Sequence, residues 1–139
     1  MDDDLLSQKV IFTFGYGNRT SYSQLGSYFL QYDLKYLIDV RLSPKAWSRI
    51  WYRDEVENFC KSIGVKYISA TALGNTTKTN KWVPPDLKNA DLILREISKI
   101  VETDNVVLLC AELDPSRCHR VQVANELCMI SNASVKNLV

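Results

Sequence analysis

Short apolar runs alternate along the chain with stretches in which apolar residues recur at helical spacing. Residues 10–14 (VIFTF) are rich in β-formers and end at Gly15 and Gly17, which predicts a buried strand and a tight turn. Residues 22–32 carry Leu25, Phe29 and Tyr32 on one face, and Ser21-Tyr22-Ser23-Gln24 has the S-x-x-Q form of a capping box. Residues 36–40 (YLIDV) predict a second strand. Over 53–63, Val56, Phe59, Cys60 and Ile63 form an i, i+3, i+4, i+7 stripe, and Gly64 stands where a glycine ends a helix.

Residues 65–69 (VKYIS) predict a third strand, and 70–85 a long polar loop closed by Pro84-Pro85. Loops of that length tend to be functional or mobile. A long amphipathic helix follows over 86–102, with Leu87, Ala90, Leu94, Ile97 and Val101 on its apolar face. Residues 106–110 (VVLLC) are the most apolar run and predict a central strand. A last helix is expected over 117–130 with Val121, Ala124, Leu127 and Cys128 inward, and VKNLV at 135–139 predicts a fifth strand. Strict β-α alternation implies a Rossmann-like, three-layer α/β fold: a mostly parallel sheet of about five strands, with helices on both faces and right-handed crossovers.

A length of 139 residues with 46% apolar and 24% charged positions fits one domain over 1–139, with 1–8 as a flexible N-terminus. That apolar fraction excludes intrinsic disorder. No apolar run approaches the ~18 residues of a membrane span. The acidic start MDDDLLSQ is neither a secretory signal nor a transit peptide, so a cytoplasmic location is expected. A net charge of +1 gives no global case for nucleic acid or anionic membrane.

In open parallel sheets, ligands bind beyond the carboxyl ends of the strands. Three segments at such ends concentrate the chemistry. GYGNRT supplies Asn18 and Arg19; Asp39-Val40-Arg41 leads to Arg49; AELDPSRCHR supplies Glu112, Arg117, Cys118, His119 and Arg120. Five of the seven arginines fall here, at 19, 41, 49, 117 and 120, rather than scattering over helix surfaces. They read either as salt-bridge partners of Asp39 and Glu112 or as forks for phosphate or carboxylate. Cys118 at the start of a helix, beside arginines, reads either as a reactive thiolate or as an inert buried thiol. Cys60, Cys110 and Cys128 read as core residues.

Other chemistries fit less well. The third glycine of a dinucleotide-binding G-x-G-x-x-G turn is Thr20 here, so no nucleotide cofactor is expected. Cys110-x6-Arg117 is one residue too long for a phosphatase C-x5-R loop. No metal is expected either, because adjacent Cys and His side chains rarely reach one ion and no C-x-x-C or H-x-x-x-H accompanies them.

The segments TFGYGNRT, LIDVRLSPKAWSR, YISATALG and LLCAELDPSRCHR resemble the prokaryotic domain-of-unknown-function family 488. The resemblance maps Gly15, Asn18 and Arg19, then Asp39, Arg41, Pro44, Ser48 and Arg49, then Leu73 and Gly74, then Cys110, Glu112, Cys118, His119 and Arg120. It implies an α/β fold and supplies no reaction. From the residues themselves, the expected function is a small enzyme acting on a phosphate-bearing small molecule or nucleic acid. Glu112, Cys118, His119 and Asp39 would be catalytic, and Asn18, Arg19, Arg41, Arg49 and Arg120 would bind the anion. The rival expectation is a non-catalytic anion- or nucleic-acid-binding module of a larger system.

Overall fold

A computed structural model describes residues 9–77, 79, 81–112 and 118–138. Strands β1 (Val10–Gly15), β2 (Leu34–Asp39), β3 (Lys66–Ser69), β4 (Asn105–Cys110) and β5 (Ser134–Leu138) form one sheet. The strand order is β3-β2-β4-β1-β5, and every pairing is parallel. Helices α1 (Ser23–Gln31), α2 (Arg53–Ser62), α3 (Leu87–Val101) and α4 (Arg120–Ser131) make the crossovers. The expected Rossmann-like α/β architecture is therefore what the chain adopts, with VVLLC as its central strand. The flexible terminus expected at 1–8 lies outside the described residues. Among the described residues, no helix is long and apolar enough to cross a membrane.

The two-residue period of the strands sorts side chains into two cores. Phe12, Phe14, Leu37, Val107 and Leu109 pack with Leu25 and Phe29 of α1 and Val56 and Cys60 of α2. Ile11, Ile38, Val106, Leu108 and Cys110 pack with α3 and α4 on the opposite face. This is the distribution right-handed crossovers require. The chain moves one way across the sheet through β1, β2 and β3, and the other way through β4 and β5.

Local chemistry sets the helix boundaries. Asp86 caps α3, accepting the amides of Lys88 and Asn89 with its side chain. Gly64 ends α2 at φ 76°, a left-handed conformation that suits glycine. The capping box expected before α1 does not form. The Ser21 hydroxyl accepts the nearer Ser23 amide, and α1 begins at Ser23 after Tyr22 without a side-chain cap. Leu87 does not join the apolar stripe of α3; it is the first residue of the helix and is 75% exposed. The inward stripe of α4 is also displaced, to Arg120, Val123, Ala124 and Leu127, because Arg120 itself points into the protein.

Gly15, the last residue of β1, lies against the chain just past the end of β4. A Cβ there would lie 1.5 Å from the Glu112 carbonyl oxygen and 2.9 Å from Arg120 Nη1. The neighbour in the way is mostly backbone, so little can give. Replacing Gly15 by alanine is expected to cost about 1–3 kcal/mol or more. A chemical-denaturation midpoint unchanged from wild type would contradict that packing.

Candidate functional site

The chain leaves β1 and β2 toward one face of the sheet and leaves β4 toward the other. A crevice opens over the carboxyl end of β4, as at the switch points of other open α/β sheets. It is a cavity of about 270 Å³, lined by Tyr16, Arg41, Lys45, Glu112, Cys118 and His119 among others. The 70–85 loop forms one wall through Asn75, Thr77 and Thr79. Hydrogen bonds hold that loop in shape. The Asn75 side-chain oxygen accepts the amides of Thr77 and Val83, and the Trp82 indole donates to the Gly74 carbonyl. Gly74 passes so near Leu42 that a Cβ would sit 2.4 Å from its Cα.

Asp39 and Arg41 stand two positions apart in extended chain, so their side chains share one side. Asp39 is fully buried and Arg41 is 5% exposed. They form a two-pronged pair: Arg41 Nε donates to Asp39 Oδ1 at 2.8 Å, and Nη2 to Oδ2 at 2.6 Å. Arg41 Nη1 donates to the Trp51 carbonyl at 2.5 Å, and the Tyr67 hydroxyl donates to Asp39 Oδ2 at 2.5 Å. Burial first, and the Asp39 charge next, keep the Tyr67 proton in place as that donor. Burial works against the Arg41 charge, but the hydrogen bonds to Asp39, the Asp39 charge and Tyr16 together more than offset this and hold its proton more tightly than usual. Trp51 completes the platform. It is fully buried, stacks on Tyr16 at 4.9 Å and donates its indole N–H to the Arg19 carbonyl. Asp39, placed among catalytic residues on sequence grounds, is thus enclosed by donors and holds Arg41.

Across β4 the chemistry changes to sulfur and imidazole. Cys110 ends β4, and Cys118 and His119 lead into α4; all three are buried. His119 Nε2 lies 2.9 Å from the Val40 carbonyl, which can only accept, so that nitrogen carries hydrogen. Nδ1 then faces the sulfurs, 3.7 Å from Cys110 Sγ and 4.0 Å from Cys118 Sγ. The two thiols are driven apart in acidity: Cys110 is raised and Cys118 is lowered. The largest cause for Cys118 is the hydrogen bond from the Cys110 thiol. Burial opposes it; His119 and the Arg120 amide at the start of α4 reinforce it, and the Arg120 charge adds to them. The positive end of α4 is therefore turned onto the protein's own sulfur.

The remaining sequence-predicted residues distribute unevenly. Glu112 is exposed at the cavity mouth. Arg120 is fully buried and donates from Nη1 to the Glu112 carbonyl at 2.6 Å, so it pins the strand end and is not an anion fork facing the cavity. Arg49 is also corrected. Its exposed guanidinium pairs with Asp54 at 2.8 Å and stacks over Tyr52, lining neither cavity at this end of the sheet. Asn18 and Arg19 line a neighbouring hollow that shares Tyr16, Ala111 and Glu112 with the first. Arg19 lies over the Phe14 ring and donates to the Gly15 carbonyl. Arg117 lies outside the described residues.

A family model described as Domain of unknown function DUF488 matches residues 27–127. The chain belongs to that family. A search of the curated proteins found no match. The DUF488 match spans Asp39, Arg41, Cys110, Cys118, His119 and Arg120, whereas the β1 turn with Gly15 and Arg19 precedes it.

Sequence reasoning missed Tyr67 and treated Cys110 as plain core in this DUF488 chain. Tyr67 was legible in principle: parallel pairing sets Asp39 opposite Ser69, two residues beyond Tyr67 and on the same face. Cys110 is buried as expected, yet the turn into α4 brings it to the Cys118-His119 pair. The sulfur and nitrogen atoms of Cys110, Cys118 and His119 lie within 4.8 Å of one another.

Proposed function

We propose that this DUF488 protein is an enzyme acting on a phosphate-bearing substrate held in the cavity over β4. One observation carries this reading: the Cys118–His119 pair opens into the same polar cavity as Lys45 and Glu112. The Lys45 ammonium supplies the positive charge for the anion. Arg41, already held by Asp39, gives the wall a fixed field and few spare donors. His119 Nδ1 is positioned to take the Cys118 proton, and the Val40 carbonyl orients the ring as a third group orients the base in nucleophile–base pairs. Glu112 is the solvent-facing carboxylate that can give or take a proton at the substrate.

The test is a screen of nucleotides, sugar phosphates and short oligonucleotides for conversion, read by mass spectrometry on the full chain. E112Q should reduce turnover by about 10²–10⁴-fold, the range of a positioned acid–base group, while leaving ligand affinity nearly unchanged. K45A should weaken binding instead. If ligands bind and nothing is converted, the non-catalytic anion-binding module replaces this reading.

A further inference from the structure

We propose that Cys110, Cys118 and His119 form a binding site for a thiophilic divalent cation, Zn²⁺ by preference, with its fourth position open to the cavity. This goes beyond the reading of the cavity as an anion site and does not depend on it. The sequence spacing speaks against a shared ion, since Cys118 and His119 are neighbours. The fold supplies what spacing omits. Cys110 arrives from the end of β4, and the turn into α4 swings Cys118 Sγ and His119 Nδ1 to the same side of it.

The distances suit an ion. Zinc binds sulfur at about 2.3 Å and imidazole nitrogen at about 2.0–2.1 Å, so tetrahedral ligand edges come to roughly 3.6 Å for S···N and roughly 3.8 Å for S···S. The two S···N separations here are 3.7 and 4.0 Å, with all three ligand atoms inside 4.8 Å. Seating the ion would take a contraction of a few tenths of an ångström at most on the S···N edges and of up to about 1 Å on the S···S edge.

The surroundings suit it as well. Metal-binding histidines usually donate their other ring N–H to a carbonyl or carboxylate, which fixes the ring and leaves the ligating nitrogen bare. His119 does this through Nε2 to the Val40 carbonyl at 2.9 Å. Two thiolates balance the two charges of the ion, so the filled site carries no net charge. Any thiol proton is released to solvent on binding. Two cysteines, one histidine and an open position form a ligand set that leaves room for a water or a substrate oxygen. That position faces the cavity shared with Lys45 and Glu112. Bound there, the ion would polarise an anionic oxygen, and Cys118 would act as a ligand.

The experiment is a Co²⁺ titration of the full chain after reduction and chelator treatment, followed by competition with Zn²⁺. Expected are one Co²⁺ per chain, a sulfur-to-cobalt charge-transfer band and the intense visible band of a four-coordinate site, all displaced by Zn²⁺. C110S and C118S should each weaken binding roughly 100-fold or more, since outer-sphere changes alone cost 10–100-fold. C128S should bind as wild type does. Circular dichroism confirms that each variant is folded. Zn²⁺ should also protect Cys110 and Cys118 together from iodoacetamide, which reports on the unsubstituted protein. Reduced, folded wild type that shows neither band nor protection overturns the proposal, as does a C110S variant that binds as tightly as wild type. Calorimetry with inorganic phosphate on the chelator-treated protein tests the anion reading separately, so either can fail alone.

Discussion

Replacing Asp39 by asparagine is expected to destabilise the protein by about 3–5 kcal/mol, because it leaves the buried Arg41 charge without its counter-ion. Asparagine matches aspartate in shape, so packing is not what changes. Asp39 accepts from Arg41 through both oxygens, from the Arg41 amide and from the Tyr67 hydroxyl. An amide group presents hydrogens on one side of that fork, where N–H and O–H groups already point. With Arg41 5% exposed, water cannot take over. Y67F removes only one hydrogen bond to the carboxylate and should cost about 1.5–3 kcal/mol. Urea denaturation should show a large drop in midpoint for D39N and a smaller one for Y67F, with the slope unchanged. A loss below about 1 kcal/mol for D39N would mean that Arg41 finds another partner and that this pair is not what holds the strand ends together.

The contrast between Asp39 and Arg120 shows where the sequence was legible. A carboxylate at the end of an apolar strand, followed two residues on by arginine, implies a same-side pair, and the structure has it. The β-α alternation was equally plain, because short runs of β-formers alternate with stretches that carry apolar residues at helical spacing. Arg120 misled for a physical reason. Arginine is rarely buried, so one beside a strand end reads as facing solvent or ligand. What buries it is tertiary. Gly15, lacking a side chain, lets the Glu112 carbonyl come in close, and that carbonyl receives Arg120 Nη1. Nothing within the local sequence around Arg120 encodes a contact with β1. Cys110 escaped for a similar reason. Its apolar run marks it as core, and its nearness to His119 at the start of α4 is a tertiary contact. Arg49 was legible in its charge and not in its partner, since Asp54 stands five residues on, across a short turn of helix.

Cys118 should be the first of the four cysteines to alkylate in the reduced, chelator-treated protein, at a rate nearly independent of pH between 6 and 8. Its acidity is lowered, chiefly by the hydrogen bond from Cys110, so the thiolate is already formed across that range. A thiol of ordinary acidity has a pKa near 8.5, and its rate should rise almost tenfold per pH unit over the same interval. Low basicity also lowers the intrinsic reactivity of a thiolate, so the flat pH profile is the sharper signature. Cys60 should lag furthest: it is fully buried, and burial pushes its thiol up to about 12. Cys128 should lag because its thiol is half-buried and donates to the Ala133 carbonyl. Cys110 keeps its proton in the shared hydrogen bond and should react only after Cys118 is modified. Iodoacetamide reaches Cys118 through the cavity it lines, so a phosphate ion held there should slow the reaction. Timed labelling with peptide mass spectrometry, with and without phosphate, measures both effects. If Cys118 labels no faster than Cys128, climbs with pH like an ordinary thiol and ignores phosphate, then the sulfur at the head of α4 is structural. The enzyme reading then yields to the binding module.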